Sequence, residues 1–103
     1  MEDIYPEELK QRMDNNEKLN IIDVREPWEY EQTNIGVENI PLGSLPNKLN
    51  ELEHLKNEEL IVHCRSGARS GNAKKFLEQK GFTKVRNLLQ GIEGFNKLQD
   101  EED

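Results

Sequence analysis

Leu60-Ile61-Val62-His63-Cys64-Arg65-Ser66-Gly67-Ala68-Arg69-Ser70 is the stretch on which the reading of this chain turns. Its first four residues form a run of strand length, rich in branched apolar side chains. Beyond it, Ala73, Phe76 and Leu77 fall at helical spacing, and Gly81 is placed to stop that helix. The only cysteine of the chain therefore stands where a strand breaks into a tight loop at a helix N-terminus. No hydrophobe larger than Ala68 lies in that loop, which carries Arg65, Arg69, Ser66, Ser70 and Gly67. Such a loop can turn several backbone N–H groups toward one point, and the positive end of the helix dipole adds to their pull on an anion. Gly67 supplies any positive-φ position the turn requires. A thiol held there is expected to ionise readily, since the thiolate is the anion the loop is shaped to hold. A lone cysteine at a strand end is more often a small buried hydrophobe. The flanking arginines, the loop and the helix turn the balance toward a nucleophile.

Working outward, Pro6 opens a helix with Glu7 and Glu8 in its first turn and Leu9 and Met13 on its buried stripe; Asn15-Asn16 end it. Ile4-Tyr5 reads as a short first strand. Leu19 to Val24 is the next, apolar at Ile21, Ile22 and Val24, as a strand covered on both faces would be. Asp23 and Arg25 at its end face the crevice that strand C-termini line in open α/β sheets, and are read as a pair with each other. Pro27 opens a short helix through Gln32, with Trp28 packed inward. Val37 to Ile40 is a brief strand; Ser44 caps a helix with Leu45, Leu49 and Leu52 on one face. Lys84 to Leu88 is a final strand, and Gly91 to Leu98 a final helix. Strands alternating with helices imply a parallel sheet with right-handed crossovers. His63 neighbours Cys64 on a strand, where adjacent side chains point to opposite faces, so it reads as a packed residue and not as a base. His54 is given no role.

Several segments together resemble the rhodanese family. Ile21-Ile22-Asp23-Val24-Arg25-Glu26-Pro27 with Glu29-Tyr30-Glu31 is similar to the family's first signature. Asn39-Ile40-Pro41-Leu42 is similar to its second, and Val85-Arg86-Asn87-Leu88 with Gly91-Ile92 to its C-terminal one. The resemblance implies a rhodanese-like α/β fold: a five-stranded parallel sheet with helices on both faces. It also implies a single rhodanese-like domain over residues 1–99, with an acidic tail at 100–103. Thr33-Asn34-Ile35-Gly36 departs from the family's usual Gly-His-Ile, with Asn34 in place of the histidine and one residue fewer. Phe95 stands where the family often has tryptophan.

The resemblance implies sulfur transfer. Cys64 thiolate would attack the outer sulfur of a donor such as thiosulfate, sulfite would leave, and a Cys64 persulfide would pass its sulfur to a thiol, cyanide or protein acceptor. Cys64 is the expected catalytic residue. Arg65, Ser66, Gly67, Ala68, Arg69 and Ser70 are the expected substrate-binding residues, the arginines orienting an anionic donor and the loop N–H groups holding the sulfur. An alternative is a sulfur-carrier or interaction module that receives sulfur from a protein partner. A phosphatase of the same fold is disfavoured, because its signature places five residues between cysteine and arginine and this chain has four from Cys64 to Arg69.

Composition bounds the rest. The chain has 103 residues, a net charge of −7, one cysteine and two histidines. Its 26 Leu, Ile, Val and Phe residues place it above the level at which disorder is expected. The acidic balance disfavours nucleic acid and anionic lipid as partners. No apolar run approaches membrane length, the acidic N-terminus carries no signal-peptide core, and a lone cysteine fits a reducing cytoplasm. No cofactor and no metal site are expected. A monomer is expected.

Overall fold

The computed structural model describes residues 1–101. Four parallel strands make the sheet: β1 (Ile21–Asp23), β2 (Glu38–Asn39), β3 (Leu60–His63) and β4 (Val85–Asn87), in the order β2-β1-β3-β4. Five helices accompany them: α1 (Pro6–Asp14), α2 (Pro27–Gln32), α3 (Leu45–Leu52), α4 (Ala68–Gln79) and α5 (Gly91–Glu101), with short 3-10 turns at Leu42–Ser44 and Glu53–Leu55.

The two-residue alternation of the strands divides the core into two layers. Ile22, Val24, Leu60, Val62, Cys64 and Val85 face Leu45 and Leu52 of α3 and Ala73 and Leu77 of α4. Ile21, Ile61 and Leu88 face the other way, against Ile4, Leu9 of α1 and Phe95 of α5. Both faces of the sheet are thus covered, and β1 and β3 are buried at every position. That is why these strands read as continuous apolar runs. Each Leu or Ile fully withdrawn from water here contributes about 1.5–3 kcal/mol.

The sheet has four strands and not the five that the resemblance implies. Ile4 reaches it at one isolated parallel bridge to Leu88, its N–H donating to the Asn87 carbonyl at 3.0 Å and its carbonyl accepting from Leu89 at 2.9 Å. Pro6 opens α1 two residues later, so no ladder can grow from that bridge. Two local expectations also change. Trp28 is 62% exposed, not core. In the six-residue α2 the inward position is taken by its neighbour Glu29, and adjacent helical residues lie about 100° apart. Ser44 makes no capping bond. It ends the 3-10 turn that runs straight into α3, with φ −94° and ψ −10°, whereas a capping residue is normally extended.

Asn34 closes the turn after α2: its amide donates to the Tyr30 carbonyl and its oxygen accepts from Gly36 N–H, both at 2.9 Å. At the C-terminus α5 continues to Glu101, so Asp100 and Glu101 of the expected tail are helical; Glu102 and Asp103 lie outside the described residues. No helix among the described residues is long and apolar enough to cross a membrane.

Candidate active site

Cys64 follows the last residue of β3, and α4 begins at Ala68. Between them the chain must reverse toward the helix within three residues. Gly67 makes this possible, with φ +111° at the position preceding α4. That conformation turns the Gly67 N–H back onto Cys64 Sγ at 3.1 Å. The Ser70 hydroxyl, in the first turn of α4, lies 3.3 Å from the same sulfur. Cys64 is itself 1% exposed. Burial pushes its thiol up, but the Ser70 hydroxyl and the N–H groups of Ser70, Gly67 and Ser66 together outweigh it, and the pKa is lowered.

Opposing carbonyls must go elsewhere for these N–H groups to converge. The first turn of α5 takes them: Ile92 N–H donates to the Cys64 carbonyl at 2.9 Å and Glu93 N–H to the Arg65 carbonyl at 3.1 Å. Free N–H groups at a helix start are otherwise without partners, so loop and helix satisfy each other. Gly91, at φ +57°, permits the approach; a Cβ there would overlap the Arg65 and Cys64 carbonyls. Asn87, at the end of β4, ties the other side of the loop. Its amide donates to the Gly67 carbonyl at 3.0 Å and its oxygen accepts from Ser70 at 2.5 Å.

The arginines depart most from expectation. Arg69 does not point a free guanidinium at the sulfur. It forms a two-pronged pair with Glu29, at 2.6 and 2.9 Å. Glu29 is held near pKa 2, chiefly by that guanidinium and also by the Glu26 N–H, against the opposing effect of burial. Arg65 is 69% exposed and lies 3.4 Å from Glu93, an open surface pair. Ser66 and Ala68 are exposed, and of these the Ser66 backbone is turned to the sulfur. Asp23 and Arg25 pair with each other in the buried layer at the end of β1, at 2.8 Å, with Arg25 also donating to the Thr33 carbonyl at 2.7 Å. The His63 side chain leaves β3 on the face opposite the Cys64 thiol and is fully buried, with Nδ1 3.3 Å from the Cys64 carbonyl and Nε2 3.6 Å from Asp23.

The structure therefore brings Cys64, Ser66, Gly67 and Ser70 to one point and turns Arg65 and Arg69 to carboxylates. Glu29, Asn87, Gly91 and Glu93 join the site without having been singled out for it. Asn87 carried a signal, its place at a strand C-terminus. Glu29 carried one too, three residues after Glu26, where a capping box places it. Beside Arg65, a groove of about 310 Å³ runs between α2 and α5, with Trp28, Gln32, Ile92 and Asn96 on its walls. Among the described residues no cluster of side chains could hold a metal ion.

A parallel α/β sheet with a cysteine loop at a strand-to-helix junction defines the class. Residues 5–98 match the model of the rhodanese-like domain, and the chain belongs to that family. It is similar to the "Putative sulfur carrier protein YrkF" of Bacillus subtilis, 44% identical over 87% of this chain and 48% of that one. It is also similar to a sulfurtransferase of Allochromatium vinosum, 35% identical over 87% and 83% of the two chains. The crystal structure of SSP1007 from Staphylococcus saprophyticus superposes with a TM-score of 0.81 at 34% identity, over 92% of this chain and 93% of that one. The chain thus spans about half of the first of these relatives and most of the second.

Proposed function

We infer that this protein is a sulfurtransferase of the carrier type, holding sulfane sulfur as a persulfide on Cys64 and receiving it from a persulfide on a partner protein. The observation that carries the reading is Cys64 Sγ gripped by the Gly67 N–H and the Ser70 hydroxyl at the head of α4, in a loop whose arginines both face carboxylates. Backbone and hydroxyl donors stabilise a thiolate and, less firmly, the persulfide anion that would follow it. A free dianion such as thiosulfate would instead want unpaired cations, and Arg69 is not one. The family supports sulfur transfer in general, and the relative named for sulfur carriage supports the carrier form.

The steps balance without a cofactor. Cys64 thiolate attacks the outer sulfur of the donor persulfide. The donor's S–S bond breaks, its electron pair leaves on the donor thiolate, and the sulfur with its proton stays on Cys64. An acceptor thiolate then attacks that outer sulfur and Cys64 thiolate departs. No general base is required, because the loop favours the ionised thiol. A phosphatase reading finds no support in this geometry, since the guanidinium that would clasp a phosphoryl group is committed to Glu29.

The test is intact mass after exposure to a persulfidated protein and, separately, to thiosulfate, each with and without reductant. One reducible sulfur atom should appear on the wild type, faster from the protein donor, and none on Cys64→Ser. An unchanged adduct on Cys64→Ser would overturn the assignment. Faster loading from thiosulfate would return the reading to a thiosulfate sulfurtransferase, for which the exposed Arg65 is the natural anchor.

A further inference from the structure

Glu29 is a buried charge that reaches the cysteine loop through Arg69. It is 9% exposed, sits in the first turn of α2, and its carboxylate accepts from the Glu26 N–H at 3.0 Å. Both of its oxygens also take Arg69, across 40 residues of sequence. Two anchors fix the carboxylate, so the pair keeps one geometry and escapes much of the entropy cost that weakens surface pairs. Arg65 and Glu93 differ: both are more than half exposed and 3.4 Å apart, open to water and salt. Of the two loop arginines, only Arg69 is neutralised by a built contact.

We propose that Glu29 is the residue that sets donor charge, holding Arg69 so that the Cys64 loop discriminates against dianionic sulfur donors in favour of donors of lower charge. The proposal rests on Cys64 being the sulfur acceptor. Glu29 does not touch the donor; it acts through Arg69, as a positioning residue. A purely structural role, bracing α4 to α2, predicts equal damage to every donor when the pair is broken. A role in charge selection predicts a change in the ratio between donors.

Thiosulfate and methanethiosulfonate make the comparison. In each, Cys64 thiolate attacks the outer sulfur, one S–S bond breaks, and a persulfide anion remains on Cys64. Sulfite leaves from the first with the electron pair, methanesulfinate from the second. The donors present the same reacting sulfur, but thiosulfate carries one more negative charge. The measurement is the single-turnover rate of persulfide formation, by intact mass, at low and high salt.

Glu29→Gln keeps the shape and the acceptor for Glu26 but removes the charge. It should raise the thiosulfate-to-thiosulfonate rate ratio about tenfold at low salt, as an unpaired guanidinium beside an anion would. The gain should shrink at high salt. Glu29→Gln/Arg69→Gln replaces a neutral ion pair by a neutral amide pair, and its ratio should stay within about twofold of the wild type if the pair contributes no net charge. This double variant also serves should the lone Arg69 of the single one unfold the chain. An unmoved ratio in Glu29→Gln, or equal loss with both donors, overturns the proposal. A collapsed ratio in the double variant overturns it too, because Arg69 would then be anchoring the dianion despite Glu29. A wild type that forms no Cys64 persulfide with any donor overturns the underlying reading, and the proposal with it.

Discussion

Removing the Ser70 hydroxyl should make Cys64 markedly less reactive at neutral pH. Ser70 Oγ lies 3.3 Å from Cys64 Sγ and 2.5 Å from Asn87 Oδ1, and it has one proton to give. The Asn87 amide is oriented by its bond to the Gly67 carbonyl, so its oxygen faces Ser70 as an acceptor only. While Cys64 is protonated, the hydroxyl can satisfy Asn87. Once Cys64 ionises, the same proton is drawn to the sulfur. A hydrogen bond to a charged group contributes about 1.5–3 kcal/mol, and a shared proton puts this one at the low end. The loss of about 1.5 kcal/mol in Ser70→Ala corresponds to a roughly tenfold smaller thiolate fraction below the thiol's titration midpoint. The assay is the rate of iodoacetamide alkylation across pH. The plateau at high pH should be kept, the midpoint should move up, and the neutral-pH rate should fall about tenfold. Ser70→Ala also strands the Asn87 oxygen, costing about 1–3 kcal/mol of stability, so urea unfolding should be measured alongside. A lower urea midpoint with a wild-type alkylation profile would refute the reasoning and leave the backbone N–H groups as the sole source of the lowered pKa.

Trp28→Ala should change stability by no more than about 0.5 kcal/mol, the range of an exposed position, and urea unfolding distinguishes this from the ~3–5 kcal/mol of a core tryptophan. Gly91→Ala should cost about 2 kcal/mol or more, since a side chain there combines a left-handed backbone with overlap onto the loop carbonyls, and it should slow persulfide loading of whatever remains folded. His63 predicts an acid-sensitive step: burial lowers its folded-state pKa below 6.5, with Asp23 and the Cys64 carbonyl opposing, so the unfolded chain takes the proton first. Its contribution is whole above pH 6.5 and is lost as pH falls below it, and His63→Gln should flatten the decline of the urea midpoint on the acid side of pH 6.5.

The sheet was legible wherever side-chain periodicity decides the structure. Ile21, Ile22, Leu60, Ile61 and Val62 fill both layers of a covered sheet, and no polar alternation competes with that reading. Strand number was not legible, because a single bridge at Ile4 and a two-residue ladder look alike in a sequence. For Trp28, size and hydrophobicity favour burial, but a six-residue helix has little inward face, and Glu29 takes it. In the loop, Cys64, Gly67 and Ser70 could be found because their roles are local. Glu29 and Asn87 act across 40 and 20 residues, and only the closed sheet shows which charge meets which. For Arg65 and Arg69, a sequence displays the charges but not the carboxylates they meet.

That pairing determines what kind of anion site this is. Arg25 is neutralised by Asp23, Arg69 by Glu29, and Arg65 is drawn toward Glu93. The thiolate is therefore stabilised mainly by N–H and O–H dipoles held in place by Asn87 and the start of α5. Dipole stabilisation falls off with distance faster than the pull of a charge. Were Cys64 thiolate to become a persulfide and the outer sulfur to lose its proton, the total charge would be unchanged, but the negative end would move outward by one S–S bond, about 2 Å. A cationic cradle would hold that displaced charge nearly as firmly as before, and would also retain an anionic leaving group. A dipolar cradle grips the inner sulfur and loosens on the outer one. On the proposed reading, such a site holds the thiolate more firmly than the persulfide, so it does not trap sulfur on Cys64 and leaves the outer atom free for an acceptor.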